Sequence, residues 1–247
     1  MTCGQSSMLV LALDSSTRAG SVALARDGQV LDARVGDPDQ RQAVRLPGDL
    51  TTLLTDHGLT LADVDLLAVT AGPGGFTGLR VGLATMQGLG LALGRPIFVT
   101  GTLDLLALVA GEAQSDVAWC GAWMRGMRGE IFSALHDRRA LPPDAPTIAP
   151  SVGTPDECAD AWMAAASTGE IAVAGDGWPD HADVLIARFG DRVRPCEAPP
   201  LASVLARVAT ARASEAVGPA AVRPAYVRRP DAVVLRQQAG LPVSGDL

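Results

Sequence analysis

Gly72-Pro73-Gly74-Gly75-Phe76-Thr77-Gly78-Leu79-Arg80-Val81-Gly82 decides how this chain is read. It follows the strand-like run Leu66-Leu67-Ala68-Val69-Thr70 and opens a long apolar helical pattern that reaches Leu93. Glycines between a strand and a helix permit positive φ and close backbone approach, and they leave amides free at the helix N-terminus. The stretch lacks the Gly-Lys-Ser/Thr ending of a P-loop, so any phosphate would depend on backbone amides alone. The turn therefore reads as structural, a device that positions the helix behind it.

Outward from that turn, strands and helices alternate. Leu9 to Leu13 reads as a buried strand, and Ser21 to Ala25 and Gln29 to Val35 flank Asp27-Gly28 as a hairpin. From Arg41, Leu46, Leu50, Leu53 and His57 share a helical face, with Pro47-Gly48 expected to kink or delay the helix and Gly58 to stop it. Pro96 to Thr100 is a strand, and Thr102 is expected to cap a helix ending near Gly111. Val117 to Trp123, Glu130 to His136 and Glu170 to Gly175 read as strands. Pro155 to Ser167 and Leu201 to Val217 read as helices, and the Pro-rich segment 140–155 reads as loop. The order favours a layered α/β fold. An echo between the halves is too weak to count as an internal repeat.

On the helix after the glycine turn, Gly78, Gly82, Thr85, Leu89 and Ala92 fall in one stripe and Leu79, Leu83, Met86, Gly90 and Leu93 in its neighbour. A helix apolar nearly all round must be covered on more than one face. The larger stripe can pack on its own sheet. The small-residue stripe would admit another helix, either the one beginning near Arg41 or one from another chain.

Composition excludes several chemistries. The chain has no lysine, which rules out a Walker A lysine, a Schiff-base lysine and a lysine general base. His57, His136 and His181 form no HExxH or HxxxH pair, so no metal site is expected. Cys3, Cys120, Cys158 and Cys196 are scattered and suit a reducing cytoplasm. A net charge of −7 argues against unaided nucleic-acid binding, although Arg223, Arg228 and Arg229 cluster near the end. No membrane span is indicated, and Met1 to Ser7 reads as a ragged extension ahead of Met8.

The glycine stretch resembles the hallmark of the TsaB (YeaZ) family, non-catalytic relatives of the tRNA threonylcarbamoyl transferase TsaD. The resemblance continues through Met8 to Thr17, Gly101-Thr102-Leu103-Asp104, Gly175-Asp176-Gly177 and Pro224-Ala225-Tyr226-Val227-Arg228. It implies a two-lobed actin-like (ribonuclease H-like) α/β fold with mixed sheets flanked by helices. The lobes would span residues 8–112 and 113–229, followed by a ragged tail over 230–247. It further implies a scaffold that takes part in threonylcarbamoyladenosine formation on tRNA next to the anticodon, with no cofactor of its own. TsaD would be its partner and TsaE would join a larger complex; a homodimer is left open, and tRNA is met only through the complex.

Family relatives pair through their first two helices, which implicates Gly78, Gly82, Thr85, Leu89, Leu46 and Leu50 as a partner interface. Asp14, Ser15, Ser16, Gly74 and Gly75 would mark a vestigial nucleotide site, or else Asp14 and Ser16 hydrogen-bond their own turn. The alternative function is a small actin-fold kinase or ATPase using Asp14 and residues 72–78. Two departures stand out. Arg41 and Gln42 occupy a region where relatives often carry His, and Arg125-Gly126-Met127-Arg128 stands where Asp-Ala-Arg is common.

Overall fold

The computed structural model describes residues 7–142 and 144–227. Arg228, Arg229, Cys3 and the expected tail over 230–247, and all but the last residue of the expected N-terminal extension, lie outside the described residues. One mixed sheet holds β1 (Leu9–Asp14), β2 (Ser21–Arg26), β3 (Gln29–Val35), β4 (Leu66–Thr70) and β5 (Ile97–Thr100) in the order β3-β2-β1-β4-β5. The second holds β6 (Trp119–Arg125), β7 (Ile131–Asp137), β8 (Ile148–Gly153), β9 (Ile171–Ala174) and β10 (Val193–Cys196) in the order β10-β9-β6-β7-β8.

Taken from the opposite edge, the second order repeats the first, with the same antiparallel hairpins and the same parallel first and fourth strands. Helices α1 (Gln42–Asp56), α2 (Phe76–Leu93) and α3 (Thr102–Ala113) follow the third, fourth and fifth strands of the first sheet. Helices α4 (Pro155–Ala165), α5 (Trp178–Phe189) and α6 (Leu201–Ala211) do the same in the second. The duplication that the sequence barely hints at is thus plain in the topology, and the fold is the two-lobed actin-like α/β arrangement.

Strand periodicity of two sorts the side chains into layers. Leu9, Leu11 and Leu13 face α1 and α2, while Val10 and Ala12 face α3 and α6. On the second sheet, Ile171 and Val173 face α4 and α5, while Ala172 and Ala174 face the centre. The central faces are rich in alanine (Ala12, Ala23, Ala25 and Ala68 on one sheet, Ala122, Ala134, Ala172 and Ala174 on the other), so the middle helices seat closely. Helix α3 packs on β6, across from the sheet it follows, and α6 returns to β1 and β2. The two sheets therefore share one core.

Several elements depart from expectation. Helix α1 runs through Pro47 without a break; Ala43 and Pro47 both lie on the exposed side, where water can satisfy the carbonyl that proline leaves without a donor. Thr102 does not cap α3. Gly101 occupies that place, and the buried Thr102 hydroxyl has no partner among the described residues. Segment 140–155 contains β8, an edge strand, which tolerates Pro150 because one side of it has no ladder to fill. Helix α6 stops at Ala211, and α5 and β10 are elements for which the sequence offers no clear signal.

Candidate functional site

The glycine turn and the Asp14-Ser15-Ser16-Thr17 turn, which follow parallel neighbours β4 and β1, pack against each other. Gly72 has φ of 108°, a left-handed value that favours glycine. A methyl on Gly74 would lie 2.5 Å from the Ser16 carbonyl oxygen, and one on Gly78 would lie 2.7 Å from that of Ser15. A methyl on Gly82 would overlap the Ser15 hydroxyl. The Gly75 amide donates to the Ser16 carbonyl at 3.3 Å. The space a phosphate would need beside Gly74 is thus filled by the chain itself.

Asp14 is buried and accepts from its own turn. Its Oδ1 takes the Ser16 amide at 3.1 Å, the Ser16 hydroxyl at 2.5 Å and the Thr70 hydroxyl at 2.8 Å, while Oδ2 takes the Thr17 hydroxyl at 3.1 Å. Asp14 also lines a cleft of about 370 Å³ between the sheets, with Leu106, Met124, Asp176 and Pro200 among the other walls. Asp14 and Met124 are the last centre-facing positions of the first strand in each sheet, so the duplicated half presents a thioether where the first half has a carboxylate. Asp176 accepts from the Arg125 amide at 2.9 Å. It keeps an exposed edge, yet burial raises its carboxyl pKa and Asp14 across the cleft raises it further, against the lowering effect of Arg125. The pairing of Asp176 with Asp14 across the cleft is not predicted from sequence, because it depends on how the sheets face each other. Among the described residues no group of three His, Cys, Asp or Glu side chains could hold a metal.

Most of the residues expected at a partner interface are turned inward. Leu46 and Leu50 are buried in the layer between α1 and the first sheet, Gly82 lies against Ser15, Gly78 abuts the Ser15 carbonyl and Gln42, and Leu89 packs on the same core. Thr85 and Leu89 are half-buried. The stripe that faces outward is Thr77, Ala84, Gly88 and Leu91, with nothing within 4 Å of a methyl on Gly88. On α1 the exposed residues between Ala43 and Thr55 are all uncharged, and Val44 is 76% exposed. Gln42 ties α1 to the Thr17 carbonyl at 2.9 Å, and Arg45 reaches the Ala19 carbonyl and Asp49.

Residues 39–138 match the family model for TsaD, tRNA N6-adenosine threonylcarbamoyltransferase. An uncharacterized protein of Mycobacterium tuberculosis, Rv3421c, is 32% identical over 232 residues, 90% of this chain and 93% of that protein. The solved structure of YeaZ from Pseudomonas aeruginosa is 30% identical with a TM-score of 0.66, covering 89% of this chain and 99% of that one. The chain belongs to the TsaB (YeaZ) family. The tRNA threonylcarbamoyladenosine biosynthesis protein TsaB of Escherichia coli is 33% identical over 131 residues, 53% of this chain and 51% of that protein. In this TsaB-family chain the glycine hallmark does its work internally, seating α2 on the turn after β1. That leaves the other side of α2 open.

Proposed function

We propose that this chain is a non-catalytic subunit required for threonylcarbamoyladenosine formation on tRNA, and that it pairs with and activates TsaD through the outer side of α1 and α2. The observation that carries the reading is that outer side. Helix α2 is 18 residues long with five buried, and of its exposed residues only Arg80 is charged. An uncharged, small-residue helix pair left to water is costly in context and suits close helix–helix contact. The Escherichia coli relative is named for threonylcarbamoyladenosine biosynthesis, and the matching family model describes the transferase. In this reading residues 8–112 carry the pairing helices and residues 113–229 buttress them through α6. TsaE joins the assembly in the cytoplasm, and a homodimer would compete for the same face. The test is a reconstituted modification assay with TsaD, its partners and tRNA. Product should form only when this chain is added, and equal product without it would refute the proposal.

A second reading, a small kinase or ATPase, draws on Asp14 and Asp176 facing one cleft. Against it, Asp14 already accepts four hydrogen bonds from its own surroundings. Metal-dependent ATP turnover by the purified chain, abolished by Asp14→Ala, would favour it.

A further inference from the structure

Two stretches that stand 146 residues apart meet on the surface beside α2. The segment leading to Tyr226 runs along the helix: Gln87 donates to the Pro219 and Val222 carbonyls at 3.2 and 3.3 Å, and the Ala225 amide to Ala71 at 2.8 Å. At its end Tyr226 stacks on Phe76, with ring centroids 5.5 Å apart and planes inclined by 26°. The Arg80 guanidinium carbon lies 3.8 Å from the Phe76 ring centroid, and its Nε donates to the Tyr226 hydroxyl at 2.9 Å.

Three features of this cluster point the same way. Phe76 and Tyr226, 39% and 37% exposed, are the only exposed aromatics of the chain's nine, and the chain has a single tyrosine. Arg80 is held by its flat face and by Nε, and among the described residues no carboxylate pairs with it. Arg80 is exposed, and its two Nη groups are the guanidinium edge that matches an oxyanion. Finally, in sequence the stretches 66–103 and 216–230 contain five arginines and no acid, while the rest of the chain has fifteen arginines and 27 acids. The sequence that supplies this cluster is thus basic within an acidic chain.

We propose that Phe76, Arg80 and Tyr226 form a direct contact for single-stranded RNA. Arg80 takes a phosphate on its Nη edge, the Tyr226 ring stacks a base, and the exposed Arg223 adds a second positive charge on the same segment. Exposed aromatics beside arginine are the usual means of holding unpaired nucleotides. An acidic protein segment would satisfy the charge but would make no use of the rings. The identification of this RNA as the tRNA substrate rests on the function proposed above; the RNA contact itself does not.

The test uses the full-length chain and a short fluorescein-labelled single-stranded RNA, followed by fluorescence anisotropy at low salt. The wild type should bind with an affinity that falls as salt rises. Arg80→Ala and Tyr226→Ala should each weaken binding by about fivefold or more, the lower end of a base–aromatic stack, with unchanged melting temperatures. Arg80→Ala should also reduce the log–log salt slope by about 0.7, the loss of one phosphate contact on a single strand. Tyr226→Phe keeps the ring and should retain most of the affinity. RNA binding absent in the wild type, or indifferent to both alanine variants, would overturn the proposal, as would equal competition by a polyglutamate peptide. In the reconstituted assay, variants that raise the KM for tRNA while leaving TsaD affinity intact would support it. If the wild type binds RNA but does not support modification, the proposed function fails and this contact stands. If modification proceeds with RNA affinity indifferent to the variants, the reverse holds.

Discussion

Helix pairs α1/α2 and α4/α5 occupy the same place in the two halves of the fold, each covering the outer face of its sheet, yet they meet the surroundings differently. On α4/α5 the outside is dressed with charge: Arg188 bridges Asp156 at 2.6 Å and Asp160 at 2.9 Å, tying the two helices together in water. On α1/α2 the outside is mostly alanine, glycine, threonine and valine, with Leu91 68% exposed and Arg80 the one exposed charge on α2. Because topology and sheet packing are shared, the difference does not come from what the fold requires. That difference is the ground for proposing the α1/α2 side as the docking face. Helix α3 sharpens the lesson: it is apolar like α2, but eight of its 12 residues are buried because it lies in the central layer against the second sheet and α6.

The comparison breaks most visibly at Gly82. Gly82→Leu should cost about 3 kcal/mol, since the side chain must displace the turn at Ser15. For a chain of 247 residues that is a fall in melting temperature of roughly 6–12 °C. An unchanged melting curve would mean that α2 is not seated as described. On the open side, Gly88→Ala meets no neighbour and should raise stability by about 0.5–1 kcal/mol through helix propensity, visible as a higher urea midpoint. Across the molecule, Arg188→Ala removes two exposed ion pairs and should cost less than about 1 kcal/mol with no change in TsaD affinity. A loss of TsaD binding there would reverse the assignment of the two helix layers.

The smallest effect concerns the cleft between the halves. Asp176→Asn keeps an acceptor for the Arg125 amide but removes a carboxylate whose pKa burial raises. A raised folded-state pKa means that ionisation is penalised in the native state, so stability declines as pH rises from the ordinary carboxylate range through the raised value. The variant should therefore melt higher than the wild type at neutral pH and equally in acid below the ordinary range. Identical differences at both pH values would show that the Asp176 charge carries no penalty.

The legible parts of this molecule are those in which a residue encodes a backbone conformation directly. Asp27 and Gly28, at φ of 51° and 81°, make the hairpin turn that their identity announces, and Gly72 does the same after β4. Apolar runs likewise mark β1 and β4. The outward side of α2 was not legible. Its two apolar stripes look alike in sequence, and only the Ser15 turn, brought beside β4 by parallel pairing with β1, decides that Gly78 and Gly82 face inward. The meetings of Asp14 with Asp176 and of Phe76 with Tyr226 are similarly long-range. Helix α5 is obscured by non-helical backbone at His181, and β8 by Pro150 on an edge.

The central claim, that the uncharged outer side of α1 and α2 is where TsaD docks, is tested most directly by titrating TsaD against Gly88→Leu and wild type by calorimetry. The added side chain enters open space within this chain, so the variant should melt at or above the wild-type temperature. Across a packed interface the same side chain should weaken TsaD binding about tenfold to a hundredfold, the equivalent of 1–3 kcal/mol of overpacking. Wild-type affinity in a folded Gly88→Leu variant would contradict the account.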